Sequence, residues 1–188
     1  MWALEHSPEP DGALLEELRG HLDSERILPV CRKLPDLRVP STREFLQAAL
    51  EQSPHEAVRG TACYAIAKLL QMRAREARAL RLSEAKGRAK QLVQALGEKA
   101  AAELRATDPD TLEHQAIEYL DRVIASYAKV PGVRRPLGES AKGELYSLRN
   151  LAVGQVAPDI EGQDVDGVSF QLSDYRGKVI FLDFWGFW

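Results

Sequence analysis

Cysteine is scarce in this chain: its 188 residues include only Cys31 and Cys63. Two cysteines cannot build a disulfide-held scaffold, and these two lie too far apart in sequence for a C-x-x-C pair. Long apolar runs are also missing. The strongest, ACYAIAKLL at 62–70, contains Lys68 and falls well short of the roughly 18–20 residues that a bilayer span needs. Neither sign of charge dominates, since 25 Lys and Arg against 28 Asp and Glu leave a net charge of −3. That balance gives no general reason to expect a nucleic-acid partner. The opening MWALEHSPEP lacks the basic and apolar regions of a secretory signal, so the default compartment is the cytoplasm, or outside it if the true start lies elsewhere. No G-x-G-x-x-G and no P-loop occur, which removes the nucleotide-binding enzymes those motifs mark. What is present suffices for a fold. With 45% hydrophobic and 28% charged residues the chain can bury a core, and its length suits one ordinary domain or one and a half small ones.

The first 150 residues read as helical. Asp11 is positioned to cap a helix over 11–23 whose Leu14, Leu15, Leu18 and Leu22 share a face. Residues 25–34 read as a short or kinked helix because of Pro29, and 35–40, with a proline at each end, as a linker. Two capping boxes follow, Ser41-Thr42-Arg43-Glu44 and Ser53-Pro54-His55-Glu56, the second with proline at the first helical position. The helix after the second carries Val58, Ala62, Ala65, Ile66 and Leu69 as a stripe. Gly60, Ala62 and Ala65 are small enough to admit a close neighbour. Residues 73–90 are Ala/Arg-rich with a thin apolar face; Leu92, Val93 and Leu96 restore one before Gly97. Asp108-Pro109 starts a helix with an expected core face of Ile117, Leu120, Ile124 and Tyr127. After the loop VPGVRRPLG, a last helix over 139–150 presents Ala141, Leu145 and Leu148.

Composition shifts near Ala152. Glycine density rises, β-branched residues appear and the helical period stops. Ile160, Val165, Val168 and Phe170 flank Asp166-Gly167, a preferred two-residue hairpin turn. Residues 172–177 read as one helical turn or a tight loop. KVIFLDFW at 178–185 reads as a central strand covered on both faces, with Asp183 as its anomalous charge. Residues 151–188 hold six acids and two bases, a net of −4, which leaves +1 for the rest.

Most single residues have plain readings. His55-Glu56 begins like a zinc-binding helix, but Arg59 stands where a second histidine is required, and His6, His21, His55 and His114 share no ligand spacing with the cysteines. No metal and no organic cofactor is expected. Cys63 lies beside the apolar stripe and reads as a small core residue. Cys31 precedes Arg32 and Lys33, whose charges would lower its pKa and make it the one candidate reactive thiol, on local sequence alone. The bases of 73–90 lack interleaved aromatics for base stacking and read as a solvated helix face, not a nucleic-acid patch.

The C-terminal run is more specific. Val153-Gly154, Ala157-Pro158-Asp159, Asp166-Gly167, LSDYRGK at 172–178 and DFWGFW at 183–188 follow in order the pattern V-G-x-x-A-P-D, D-G-K-x-x-x-L-S-D-Y-R-G-K and D/N-F-W-x-x-W-C-x-x-C. This stretch resembles the opening of a redoxin domain, the thioredoxin-like family of TlpA-type thiol-disulfide oxidoreductases and of alkyl hydroperoxide reductase and thiol-specific antioxidant proteins. Val168 departs from it where the family often has lysine. The resemblance covers about the last 36 residues. Helix 114–128 looks like the second helix of a tetratricopeptide-type pair, without a convincing second copy.

The resemblance implies an α+β chain: an α-helical domain over 1–150, then the start of a thioredoxin-like α/β domain over 151–188. It implies that Asp183 is the buried carboxylate beneath the active site, moving a proton to or from the buried thiol; a carboxyl in an apolar strand favours its neutral form. Trp185 and Trp188 would flank the active-site loop and Gly186 would permit its turn. The nucleophilic cysteine of the pattern would follow Trp188, so the chain as written is expected to be inactive and to be a truncation of a longer gene. A selenocysteine codon read as a stop is one specific cause. The intact form would exchange thiols with a protein disulfide or thiol substrate and an electron-donating dithiol; a thiol peroxidase is the variant reading. The reading from another class is a non-catalytic helical module that binds a protein partner and carries a redoxin remnant.

Overall fold

The computed structural model describes residues 12–37, 39, 41–82, 86–152 and 154–186. The chain divides into two units, 1–148 and 149–188. It is α+β overall, although helix makes up 67% and the only sheet among the described residues has two strands. No helix among the described residues is long and apolar enough to cross a membrane.

The first unit is organised by one long helix. Its elements are α1 (Gly12–Arg19), a 3-10 turn (Glu25–Ile27), α2 (Leu28–Leu37), α3 (Thr42–Gln52), α4 (Glu56–Arg81), α5 (Lys86–Leu96), α6 (Glu98–Ala106), α7 (Pro109–Ser126) and α8 (Leu137–Asn150). At 26 residues, α4 is about 39 Å long. The expected stripe Val58, Ala62, Ala65, Ile66 and Leu69 is buried, but so are Thr61, Cys63, Ala67 and Leu70. Over 58–70 the helix is buried on most sides, as a core helix is, and α2, α3 and α7 pack against it. Its small residues set the approach distance. A Cβ on Gly60 would stand 3.0 Å from the Cβ of Tyr127, just past α7. A smaller cluster of Ala79, Leu80, Leu92 and Ala101 ties the end of α4 to α5 and α6.

Several helix ends differ from the sequence reading. The expected cap Asp11 lies outside the described residues. Helix α1 stops at Arg19 and a turn follows, with the amides of Gly20 and His21 donating to Glu17 O and Leu18 O. Helix α2 runs through Pro35 to Leu37, where a linker was expected. Burial of Val30, Cys31, Leu34 and Pro35 outweighs the one hydrogen bond that proline removes. Neither capping box forms. Ser41 takes the left-handed region at φ 60° and its side chain caps nothing; the Thr42 hydroxyl instead donates to Val39 O at 2.7 Å. The second helix begins at Glu56 with His55 as cap, and Arg59 Nη1 donates to Ser53 O at 2.8 Å and Pro54 O at 2.7 Å.

The Asp108 start does form. Its carboxylate accepts from the Thr111 amide at 3.0 Å and hydroxyl at 2.8 Å. The buried face of α7, however, is Leu112, Ala116, Leu120 and Val123, with Ile117 and Ile124 only partly covered. The basic stretch after Met72 bridges helices instead of only meeting solvent. Arg78 binds Asp110 and Glu113 of α7, and Arg81 donates to Arg105 O and Thr107 O at 3.0 and 2.9 Å. Gln71 and Tyr64 of α4 both donate to the Glu144 carboxylate of α8.

In the second unit, β1 (Glu161–Gln163) pairs antiparallel with β2 (Ser169–Gln171), setting Gly162 opposite Phe170. A 3-10 turn, Leu172–Tyr175, follows. None of its described residues is buried.

Candidate functional site

The redoxin-like motifs fall on a set of backbone turns, each held by an aspartate. At the hairpin, Asp164 N donates to Val168 O at 3.0 Å and Gly167 N to Asp164 O at 3.0 Å. The loop therefore has three residues, Val165-Asp166-Gly167, instead of the two-residue Asp166-Gly167 turn expected. Gly167 takes the left-handed position such a loop requires, at φ 77°. Asp164 Oδ1 accepts from the amides of Asp166 and Val168, both at 2.9 Å. That side chain supplies the local acceptors that favour the longer loop.

Asp159, of the Ala157-Pro158-Asp159 motif, ties the segment before β1 to the 3-10 turn after β2. Its Oδ1 accepts from Ser173 N at 2.9 Å and Ile160 N at 3.1 Å. Hydrogen bonding from Ser173, then the Ile160 amide and the Arg176 charge, holds its carboxyl below the ordinary aspartate range. Asp174 Oδ2 accepts from Gln171 N at 2.9 Å and starts the 3-10 turn. The Tyr175 ring meets Phe170 edge-on at 6.4 Å, and Lys178 Nζ lies 5.6 Å from its centroid. Phe170 in turn crosses Gly162, where a Cβ would come within 3.2 Å of the ring. In sequence, Asp159 and Asp174 are motif residues without an assigned anchoring role, and the signal for Asp164 is its place two residues before Asp166-Gly167.

An open cleft of about 250 Å³ lies in this unit, with Val156, Ala157, Asp159, Tyr175, Arg176 and Ile180 among its lining residues. It does not include Asp183, Trp185 or Gly186. Those three lie in 179–186, which forms no strand and is exposed throughout. Phe181 is 92% exposed. The central strand expected over 178–185 is thus absent among the described residues, because no second strand lies beside it to pair with its backbone. The burial expected of Asp183 likewise depends on cover that the described residues do not provide. Trp188 lies outside the described residues, as does Val153.

The cysteines are elsewhere and chemically quiet. Cys31 and Cys63 are both 0% exposed, in the helical unit. Burial pushes the Cys31 thiol up to about 12 and the Cys63 thiol up to about 11, the latter against a small opposing effect of Arg122. The neighbours Arg32 and Lys33 therefore do not activate Cys31. Cys63 Sγ donates to Tyr119 O at 3.6 Å, across the α4–α7 seam. No group of three or more His, Cys, Asp or Glu that could hold a metal occurs among the described residues.

Comparison with known proteins finds relatives of limited extent. The chain is 53% identical over 38 residues to a thiol-disulfide oxidoreductase ResA of Geobacillus thermodenitrificans and 55% identical over 38 residues to that of Geobacillus kaustophilus, in each case 20% of this chain and 22% of the relative. It is 40% identical over 47 residues to the ResA of Bacillus thuringiensis subsp. konkukian, 25% of this chain and 27% of the relative. The chain thus spans about a quarter of the length of the curated relatives it matches. No family model and no solved structure matches. These relatives support, for the part of the chain they cover, kinship with a thioredoxin-like redox family and, coarsely, thiol-disulfide chemistry.

Proposed function

We propose that residues 151–188 are the opening of a thioredoxin-like redox domain and that the protein they belong to is a thiol-disulfide oxidoreductase acting on thiols or disulfides of other proteins. The observation that carries this reading is the identity of 53–55% over 38 residues to proteins named thiol-disulfide oxidoreductase. A stretch of that length is close to the redoxin-like segment of about 36 residues that runs from the Val-Gly and Ala-Pro-Asp motifs to Trp188. The Asp159–Ser173 and Asp164 bonds give those motif residues local work to do: they shape the hairpin and the turn that precede the active-site strand. On this reading the 179–184 run becomes a paired, covered strand once the remaining strands are in place, and Asp183 then serves proton transfer beside the thiol. Trp185, Gly186 and Trp188 shape the loop that presents the nucleophile.

The nucleophile is neither Cys31 nor Cys63, because attack on a disulfide needs an accessible thiolate and both thiols are buried and raised. The test is to read the coding DNA past codon 188 in frame and assay the extended product with a dithiol donor and insulin as disulfide substrate, using the 188-residue chain as blank. Turnover that is lost when the residue encoded directly after Trp188 becomes serine supports the proposal, and an in-frame UGA at that codon, 189, supports selenocysteine. Turnover of peroxide alone moves the reading to a thiol peroxidase. An extended product that turns over neither, or a frame without a redoxin continuation, overturns it.

A further inference from the structure

We propose that loop 130–136, together with Arg32, is a docking surface for an acidic segment of a partner protein. The inference does not depend on the redox reading. In sequence, Pro131-Gly132 and Pro136 bracket Val133-Arg134-Arg135, so two arginines sit in a segment of restricted backbone.

The structure fixes that segment at its neck. Leu137 N donates to Val130 O at 2.9 Å and Gly138 N to Ala128 O at 3.1 Å, while Val130 and Leu137 are buried. The turn tolerates only glycine at 132, where a Cβ would fall 2.3 Å from Arg135 O. Arg32 Nη2 then reaches from α2 to donate to Pro131 O at 3.0 Å. A tertiary contact across 99 residues thereby adds a third guanidinium to the loop. Its tip stands out: Val133 is 85% exposed, and Arg32, Arg134 and Arg135 are exposed as well.

Arg32 spends one of its five donors on Pro131 O, and the Arg135 charge acts on Tyr64 of α4, but carboxylates leave all three guanidiniums open. Arg19, Arg78 and Arg81 each pair with a carboxylate. Arg32, Arg134 and Arg135 take part in no ion pair among the described residues, and the acids nearest in sequence, Asp36 and Glu139, do not reach them. A patch held in place by the fold binds without first having to order itself. The chemistry points to carboxylates. Guanidinium forks match them in two-point contacts, and Val133 offers an apolar contact between the charges. The Leu137 and Gly138 amides at the start of α8 are spent on Val130 and Ala128, so no amide nest for a phosphate group remains there. No exposed aromatic on the loop can stack a base.

The test titrates the 188-residue chain into a fluorescein-labelled peptide of alternating glutamate and leucine and follows anisotropy at low salt. Saturable binding is expected, weakened roughly tenfold or more by R134E/R135E and by R32E and removed at about 0.5 M salt. The control R73E/R75E, on exposed residues of α4, should change it less than about twofold. All the replaced side chains are exposed, and unchanged circular dichroism verifies that each variant folds. The proposal is overturned if the wild-type chain does not bind, if the control loses as much as R134E/R135E, or if an oligonucleotide or an anionic lipid vesicle binds more tightly than the peptide.

Discussion

The helical unit and the C-terminal unit solve the same problem at different range. In the first, residues far apart in sequence meet: Cys63 bonds to Tyr119, Arg78 to Glu113, and Gly60 receives Tyr127. In the second, nearly every described bond closes within about a dozen residues, such as Asp164 to Val168 or Asp159 to Ser173, and no described residue is buried. Short-range bonds of this kind fix a conformation but exclude little water, so they add little of the apolar burial that dominates stability. Order and stability are separable, and this chain holds one segment with both and one with mainly the first.

Four experiments break or sharpen that contrast. The largest effect is expected from Leu120→Ala, which deletes a fully buried side chain at the α4–α7 seam. It should cost about 2–5 kcal/mol, read by urea unfolding at 222 nm. Phe181→Ala should leave the same transition unmoved; an equal loss would show that the apolar run is covered in solution.

Next, the thiols. Neither should react with a disulfide reagent such as DTNB until the chain unfolds, when both should. Their folded pKa values of about 12 and 11 lie above the ordinary thiol value near 8.5. The stability linked to them is therefore complete below about pH 8.5 and declines as pH rises toward those values. A double Cys→Ala variant should lose that alkaline decline, and one that kept it would place its origin elsewhere.

Asp108→Ala should lower the melting temperature by less. Thr111 holds the Asp108 carboxyl below its usual range, so the cap contributes above an ordinary aspartate pKa of about 3.9 and weakens as pH falls through the depressed value. The wild-type and variant melting temperatures should converge in acid; a constant gap would remove the charged cap as the cause. Smallest of all, Asp159→Asn should shift the amide resonances of Ile160 and Ser173 without moving the helical melt. A lowered melt would mean that the units stabilise one another.

What could be read from sequence follows the same division by range. The Asp108-Pro109 start, the buried stripe of α4, the room beside Gly60 and the position of the hairpin were legible, because each is set by a few neighbouring residues. The failures are tertiary. Pro35 stays inside α2 because the residues around it are buried, and the buried face of α7 turns toward Leu112, Ala116 and Val123 because it packs against α4. Ser41 has the right residue type for a cap, but its backbone takes the left-handed region. Around the candidate site, the motif order was legible, whereas the three-residue loop depends on how Asp164 spends its side chain. The environment of Asp183 depends on neighbours that local sequence does not specify.

The burial of Cys31 and Cys63 has a consequence for traffic between molecules. Thiol-disulfide exchange proceeds through mixed disulfides, and any accessible thiol on the carrier is a place where the exchange can stall. A helical unit whose two thiols lie at 0% exposure offers no such side track.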